Sequence, residues 1–325
     1  MLEVNDLSVR LQTQRGPAHA IRHVSFSLQR GDTLGLVGES GCGKSITAMA
    51  LMGLLPENAE VTGSVRFDGQ ELVGQSDSVL RRLRGNRIGM IFQEPMTALN
   101  PVHTIGHQVA EPMRLHRGVG REQARARTIE LLERVGIGNA ASRIDAYPHQ
   151  FSGGQRQRIT IAMALACEPD ILIADEPTTA LDVTIQGQIL DLIHDLVLER
   201  SMALILISHD LGVIAQNVER MMVMYGGSVI ESGATRQVFG HMAHPYTRGL
   251  FGARPRLGAP AGTRLTTIDG TVPELVDLPA GCAFADRCSW AQPACFTTRP
   301  PAETVDPGHE ASCLRLDAVL AQDTA

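Results

Sequence analysis

Apolar and polar residues alternate from Leu2 to Val9 and again from His23 to Leu28, the period-two pattern of strands that bury one face. Thr33–Val37 is a short, nearly unbroken apolar run that stops at a glycine-rich turn, which predicts a buried strand, a loop and then a helix. From about residue 93 to residue 166 the pattern becomes helical. Arg121–Val135 is amphipathic, and the segment after Gly153 continues as a helix of small and apolar residues. Ile171–Ala174 and Leu204–Ile207 read as buried strands on either side of a helical stretch, Thr184–Arg200, as in a parallel βαβ unit. The fold class is therefore α/β. Beyond about residue 235 the periodicity fades and 9 of the 17 prolines collect, so a loop-rich appendage is expected there. The predicted domains are residues 1–235, with a helical subdomain at about 93–166, and residues 236–325.

Composition narrows the class. A chain of 325 residues, 43% hydrophobic, has room for about two domains and a sizeable core. A formal charge of −6 argues against a broad nucleic-acid footprint, which normally needs an excess of Lys and Arg. The basic cluster Arg81, Arg82, Arg84 and Arg87 reads as a solvated helix face that could also meet a membrane-side partner. Met1–Asp6 has neither the basic start nor the apolar run of a signal peptide. The most apolar stretches, Ile159–Cys167 and Ala203–Ile207, fall short of the roughly 18 residues of a membrane span. A cytoplasmic protein is expected, reaching a membrane only through another protein.

Gly38-Glu39-Ser40-Gly41-Cys42-Gly43-Lys44-Ser45 fits the phosphate-loop pattern G-x-x-x-x-G-K-S and follows a strand, the context that gives such a match weight. Its glycines let backbone N–H groups turn toward phosphate oxygens, and the helix beginning near Lys44 and carrying Ile46 presents its positive end to them. Lys44 is expected to reach the β- and γ-phosphates and Ser45 to ligate Mg²⁺, with ATP or GTP left open by the loop alone. Downstream, Ile171–Ala174 ends in Asp175 and Glu176. A strand end of this kind can deliver Asp175 to the metal and leave Glu176 to polarise water, although the same pair in isolation would be a solvated acidic turn.

Gly38–Ser45, Gln93, Phe151–Gln155, Asp175-Glu176, Ala180-Leu181-Asp182 and His209 resemble, in order and spacing, the motifs of an ABC-type ATPase over about residues 2–235. The resemblance implies a P-loop NTPase core that binds ATP with Mg²⁺. It makes Gln93 a hinge residue sensing the γ-phosphate, the metal and the water, and His209 a γ-phosphate contact. Ser152, Gly153, Gly154 and Gln155 become the signature that covers ATP held by the opposite subunit, and Asp182 links the two sites. Such ATPases often stack adenine on an aromatic residue ahead of the phosphate loop. Leu11–Ala20 contains none, so either Arg15 or His19 substitutes by stacking or the ring is held loosely.

Three further tracts, Gly43–Pro56, Phe92–Pro101 and His244-Pro245-Tyr246-Thr247, resemble the dipeptide/oligopeptide importer branch. That branch implies a second, homologous ATPase subunit, two membrane permeases and an extracytoplasmic peptide-binding protein. The chain would then lie on the cytoplasmic side of the cell (inner) membrane as a peripheral protein. Nickel or a glycoside is the alternative cargo. A nucleic-acid-associated ABC ATPase would bring a long coiled-coil insertion or two cassettes in one chain, and this sequence has neither.

Cys282, Cys288, Cys295 and Cys313 lie within 32 residues of one another. In a cytoplasmic protein such clustering favours metal or cluster ligation over disulfides. Zinc sites commonly use closely spaced C-x₂₋₄-C pairs, which are missing, so a [4Fe-4S] cluster is favoured over Zn²⁺ or free thiols; the family's C-terminal extension carries a cysteine set of this type. Cys167 reads as a buried small hydrophobe and Cys42 as a small side chain that fits the loop. Trp290 is expected to pack over the cysteines.

Overall fold

The computed structural model describes residues 1–179, 181–253 and 267–321, with residues 95 and 96 described by backbone only. Two long strands, β1 (Leu2–Thr13) and β2 (Gly16–Leu28), open the chain and precede the buried β3 (Thr33–Val37). After the glycine loop come α1 (Lys44–Met52), β4 (Ala59–Phe67), β5 (Gln70–Glu71), α2 (Asp77–Arg81) and β6 (Ile88–Ile91). A helical run follows: α3 (Pro95–Ala98), α4 (Ile105–Arg117), α5 (Arg121–Arg134), α6 (Ala140–Arg143) and α7 (Gly153–Leu165). Alternation returns with β7 (Ile171–Asp175), α8 (Val183–Arg200), β8 (Ala203–Ser208), α9 (Leu211–Asn217), β9 (Arg220–Tyr225) and β10 (Ser228–Ala234). The remainder comprises α10 (Thr235–Gly240), α11 (Pro245–Gly252), α12 (Pro293–Thr297), β11 (Glu303–Asp306), β12 (His309–Ala311) and α13 (Leu316–Leu320).

The chain forms two compact units from interleaved segments: Met1, Leu28–Thr33 and Gly74–Ile207 in one, Leu2–Ser27, Leu34–Val73 and Ser208–Ala325 in the other. In the first unit β6, β7 and β8 are parallel neighbours, and Ile171–Asp175 is buried throughout, which explains the unbroken apolar run. A Cβ on Gly89 of β6 would come within 2.6 Å of the Ala164 carbonyl oxygen, so glycine here lets α7 approach the sheet. Ala110, Met113, Ala124, Ala166 and Cys167 form one of its apolar clusters, which gives Cys167 its buried setting. Two members of the basic cluster, Arg81 and Arg82, are exposed, whereas Arg84 and Arg87 are half-buried. Arg87 pairs with the largely buried Asp170, and Arg84 and Arg81 both pair with Asp77. Asp170 at the head of β7 also binds Arg30, so its charge is compensated by two guanidinium groups.

In the second unit β2, β1, β4 and β5 form an antiparallel sheet. β3 runs parallel to β9, with Leu34 opposite Arg220 and Val37 opposite Val223, and β9, β10, β12 and β11 continue antiparallel. Residues beyond 235 thus add strands to the sheet that holds β3. The buried Glu231 carboxylate fastens this region. It accepts the N–H groups of Ala243 (2.7 Å) and His244 (2.9 Å) and bonds His309 Nε2 at 2.9 Å. His244 caps α11, its Nδ1 accepting the Tyr246 N–H at 3.0 Å.

Burial pushes the His244 pKa from 6.5 down to about 4, against a smaller upward pull from Glu231. Protonation would also remove the Nδ1 acceptor that caps α11. Between those two values the unfolded chain carries a proton that the folded chain lacks, so stability should fall as pH drops from about 6.5 to about 4 and level off below. The span corresponds to about 3 kcal/mol at most. His244→Asn, which keeps a capping acceptor that does not titrate, should lose this slope in chemical-denaturation curves recorded across the window.

Candidate functional site

Within the second unit, the loop between β3 and α1 is shaped by glycines where no side chain fits. Gly38 has φ +154° and a Cβ there would lie 2.3 Å from the Met224 carbonyl oxygen; Gly43 has φ +106° and would meet Ala20 O at 2.7 Å. Lys44 is buried, and its Nζ donates to the carbonyls of Gly38 (2.7 Å) and Glu39 (3.1 Å). The ammonium is thus wrapped by its own loop at the start of α1, where backbone N–H groups gather. Ser40, Gly41, Ser45 and Ile46 lie in the same stretch of loop and first helical turn. Cys42 is fully buried and its pKa is raised by burial, opposed by the nearby Lys44, so it is an unreactive space-filler rather than an exposed thiolate. His209 is exposed, at the entry to α9 beside the capping Asp210, whose carboxylate accepts the Gly212 N–H at 2.6 Å.

Arg15 and His19 take different positions. The Arg15 guanidinium binds Glu274 Oε2 at 2.6 Å and Asp277 Oδ1 and Oδ2 at 2.9 and 2.8 Å, and these acids hold its pKa above the usual arginine range. His19 lies in a cleft of about 530 Å³ with Arg10, Arg22 and Arg299. Its pKa is lowered by burial first and then by the surrounding cations.

Strand register builds an acidic constellation in the first unit. Ile91 of β6 stands opposite Ala174 of β7, so Gln93 and Glu176, each two residues further on, emerge at the same level. Gln93 Nε2 donates to Glu176 Oε2 at 3.0 Å, and Thr179 Oγ1 donates to the same oxygen at 2.9 Å. Asp175, the last residue of β7, is buried. Glu176 adopts φ +45°, a left-handed conformation that costs a non-glycine residue free energy and turns its side chain off the strand end. A catalytic site is a common place for such strain. Of the three residues expected to meet Mg²⁺, Gln93 and Asp175 belong to this unit and Ser45 to the other.

The Phe151–Gln155 run is a helix start. Ser152 caps α7, its Oγ accepting the Gln155 N–H at 3.3 Å while Gln155 Oε1 accepts the Ser152 N–H at 3.3 Å. Phe151 is buried beneath the Arg143 guanidinium, 4.2 Å from its ring centroid. Gly153 and Gly154 make the first turn, and a Cβ on Gly154 would meet Ile185 at 2.8 Å. Ser152, Gly153, Gly154, Leu181, Asp182 and Ile185 line a cleft of about 640 Å³, with Asp182 capping α8 through the Ile185 N–H at 3.0 Å. Ala180 of the same motif lies outside the described residues.

The four clustered cysteines are free thiols in the second unit. Burial raises the pKa of Cys282, Cys288 and Cys313, and neighbouring cysteines raise it further. Backbone N–H groups pull the other way, from Phe284 and Ala285 at Cys282, Trp290 and Ala291 at Cys288, and Arg315 at Cys313. Among the described residues no group of three or more His, Cys, Asp or Glu is placed to hold a metal ion. A [4Fe-4S] or zinc site is therefore not supported by the arrangement of these side chains.

Residues 21–179 match the family model for the ABC transporter, and residues 230–295 match that for the oligopeptide/dipeptide transporter C-terminal region. A putative peptide import ATP-binding protein of Brucella ovis is 47% identical over 99% of this chain and 98% of its own length. This chain belongs to the ABC transporter family. It is an ABC ATPase, the ATP-hydrolysing component of a transporter, and its C-terminal part marks the oligopeptide/dipeptide branch. The oligopeptide transport ATP-binding protein OppD of Mycobacterium tuberculosis is also 47% identical, over the whole of this chain and 53% of that protein. Among solved structures, the dimeric ATP-binding cassette MJ0796 bound to ADP and Pi matches with TM-score 0.65 and 28% identity, covering 73% of this chain and 99% of that one. Membership of the family brings ATP with Mg²⁺ as the expected ligand and permeases as partners. No helix among the described residues is long and apolar enough to cross a membrane.

Tyr246 and Arg287 were not singled out as site residues by the sequence, yet both touch Glu39 of the phosphate loop. The motif match around Tyr246 was the only available signal.

Proposed function

We propose that this chain is the ATP-binding and ATP-hydrolysing subunit that powers import of di- or oligopeptides across the cytoplasmic membrane. The observation that carries the cargo class is the match of residues 230–295 to the oligopeptide/dipeptide C-terminal region, in a chain whose relatives are named peptide import proteins along nearly their whole length. Residues 1–235 act as the ATPase domain, with its helical subdomain at about 93–166, and residues 236–325 as the importer-type extension. Lys44 and the loop amides bind the phosphates. Ser45, Asp175 and Gln93 hold Mg²⁺ or its water, and Glu176 acts as general base, oriented by the hydrogen bonds from Gln93 and Thr179. His209 contacts the γ-phosphate.

The cleft at Ser152, Gly153 and Gly154 receives ATP held by a second, homologous ATPase subunit, and Asp182 couples the two sites. Exposed Phe92 and Val102, flanking the Gln93 segment, provide an apolar surface for one of two permeases. A peptide-binding protein outside the membrane completes the assembly, and the chain sits peripherally on the inner face of the membrane. The four cysteines are read as [4Fe-4S] ligands, with Zn²⁺ as the alternative, on the family resemblance and their spacing alone, since their side chains as arranged form no metal-binding group among the described residues.

In vesicles carrying both permeases and the partner ATPase, peptide uptake should require ATP and this chain. Glu176→Gln should retain ATP binding but lower hydrolysis by about 10²- to 10⁴-fold and stop uptake. Wild-type turnover in that variant would remove Glu176 from the role of base, and uptake of nickel or a glycoside in place of peptides would reassign the cargo. Anaerobically purified protein should contain iron and sulfide that Cys282→Ser with Cys288→Ser removes; zinc at one per chain would exclude the cluster.

A further inference from the structure

Glu39 is gripped from three directions within one unit, and two of the grips come from residues far along the chain. Its N–H donates to Tyr246 Oη at 2.8 Å. Its carboxylate receives the fork of Arg287, Nη1 to Oε2 at 2.7 Å and Nη2 to Oε1 at 3.1 Å. Its carbonyl accepts from Lys44 Nζ. The Arg287 side chain is only 5% exposed, and its other donors are also satisfied: Nε by Asp269 O at 3.0 Å, Nη1 by Tyr225 Oη at 3.3 Å, Nη2 by Ile268 O at 3.4 Å. All five guanidinium donors therefore have acceptors. The rings of Tyr225, Phe284 and Tyr246 pack edge to face beside it, with centroids 4.7 to 5.4 Å apart.

A buried guanidinium matched to one carboxylate resists displacement of either partner, because moving Glu39 would leave a buried charge unpaired. We infer that Arg287, assisted by Tyr246, is a positioning residue for ATP binding: it acts through Glu39, fixing it so that the loop amides and Lys44 are held ready for the phosphates. The inference rests on Gly38–Ser45 being the loop that binds ATP phosphates. Arg287 closes the turn Ala285–Arg287 between Cys282 and Cys288, so whatever orders those thiols also orders the guanidinium behind the loop.

The test measures MgATP dissociation constants and melting temperatures for the full-length chain. Arg287→Gln should weaken ATP binding roughly tenfold, and Arg287→Lys, which keeps the charge but lacks the fork, should fall between it and the wild type. Arg287→Gln combined with Glu39→Gln should bind no more weakly than the poorer single variant, since both act through one pair. Unchanged affinity in both Arg287 variants overturns the inference, as does a fully additive loss in the double variant. Should Arg287→Gln fail to fold, the affinity of Arg287→Lys at an unchanged melting temperature decides. Lys44→Ala keeps the two readings apart. If it still binds ATP, the phosphate-loop assignment falls; if it loses ATP while the Arg287 variants keep it, only the positioning role falls.

Discussion

The ammonium of Lys44 sits in the interior with carbonyl oxygens of its own loop as acceptors, and the conformation around it follows from that requirement. A buried cation is tolerated only where oxygen dipoles converge on it. The chain meets this by turning the Gly38 and Glu39 carbonyls inward, which in turn demands a left-handed glycine and a backbone pressed against Met224. Phosphate oxygens would offer the ammonium stronger acceptors than these carbonyls. The loop thus holds its cation in a state that an anionic ligand can take over without a large rebuilding of the fold.

The Gln93–Glu176 pair of the first unit depends on register rather than on charge. Parallel pairing of β6 with β7 brings Gln93 level with Glu176, and Thr179 reaches the same carboxylate oxygen from the turn beyond. Helix caps have a comparable role at Ser152 and Asp182, where a side-chain oxygen satisfies an N–H of the first turn and fixes the angle at which the chain enters. These side chains stand at or just beyond the ends of strands and helices, where pairing or capping leaves little freedom.

Those local devices are why so much was legible. A strand, a glycine loop and a lysine within a dozen residues carry their own physical context, and Ile171–Asp175 announces a buried strand by its unbroken apolar run. β4 has no clean alternation and owes its identity to its partner β1, so its pattern alone is ambiguous. Arg220–Tyr225, by contrast, is as apolar as β7 and is a strand by the same rule. Charges with distant partners were opaque. Nothing near Arg15 indicates that Glu274 and Asp277 hold it, and Arg87 reads as a surface charge until Asp170 is seen beside it. The cysteines stand between these cases. Spacing shows that four thiols can approach, but whether they converge on one point depends on how three turns fold, which spacing does not encode.

The interleaving of the two units bears on how the protein is made. Leu34 beside the phosphate loop pairs with Arg220, and Glu39 waits for Tyr246 and Arg287, so the loop's neighbours are synthesised long after the loop itself. Contacts between residues so far apart in sequence form slowly, because a large loop must close before they are gained. A nascent or truncated chain that stops short of Arg287 therefore carries the complete G-x-x-x-x-G-K-S stretch without the contacts that shape it. Its β3 edge also remains open until β9 arrives, which makes the unfinished chain a candidate for chaperone binding and for aggregation.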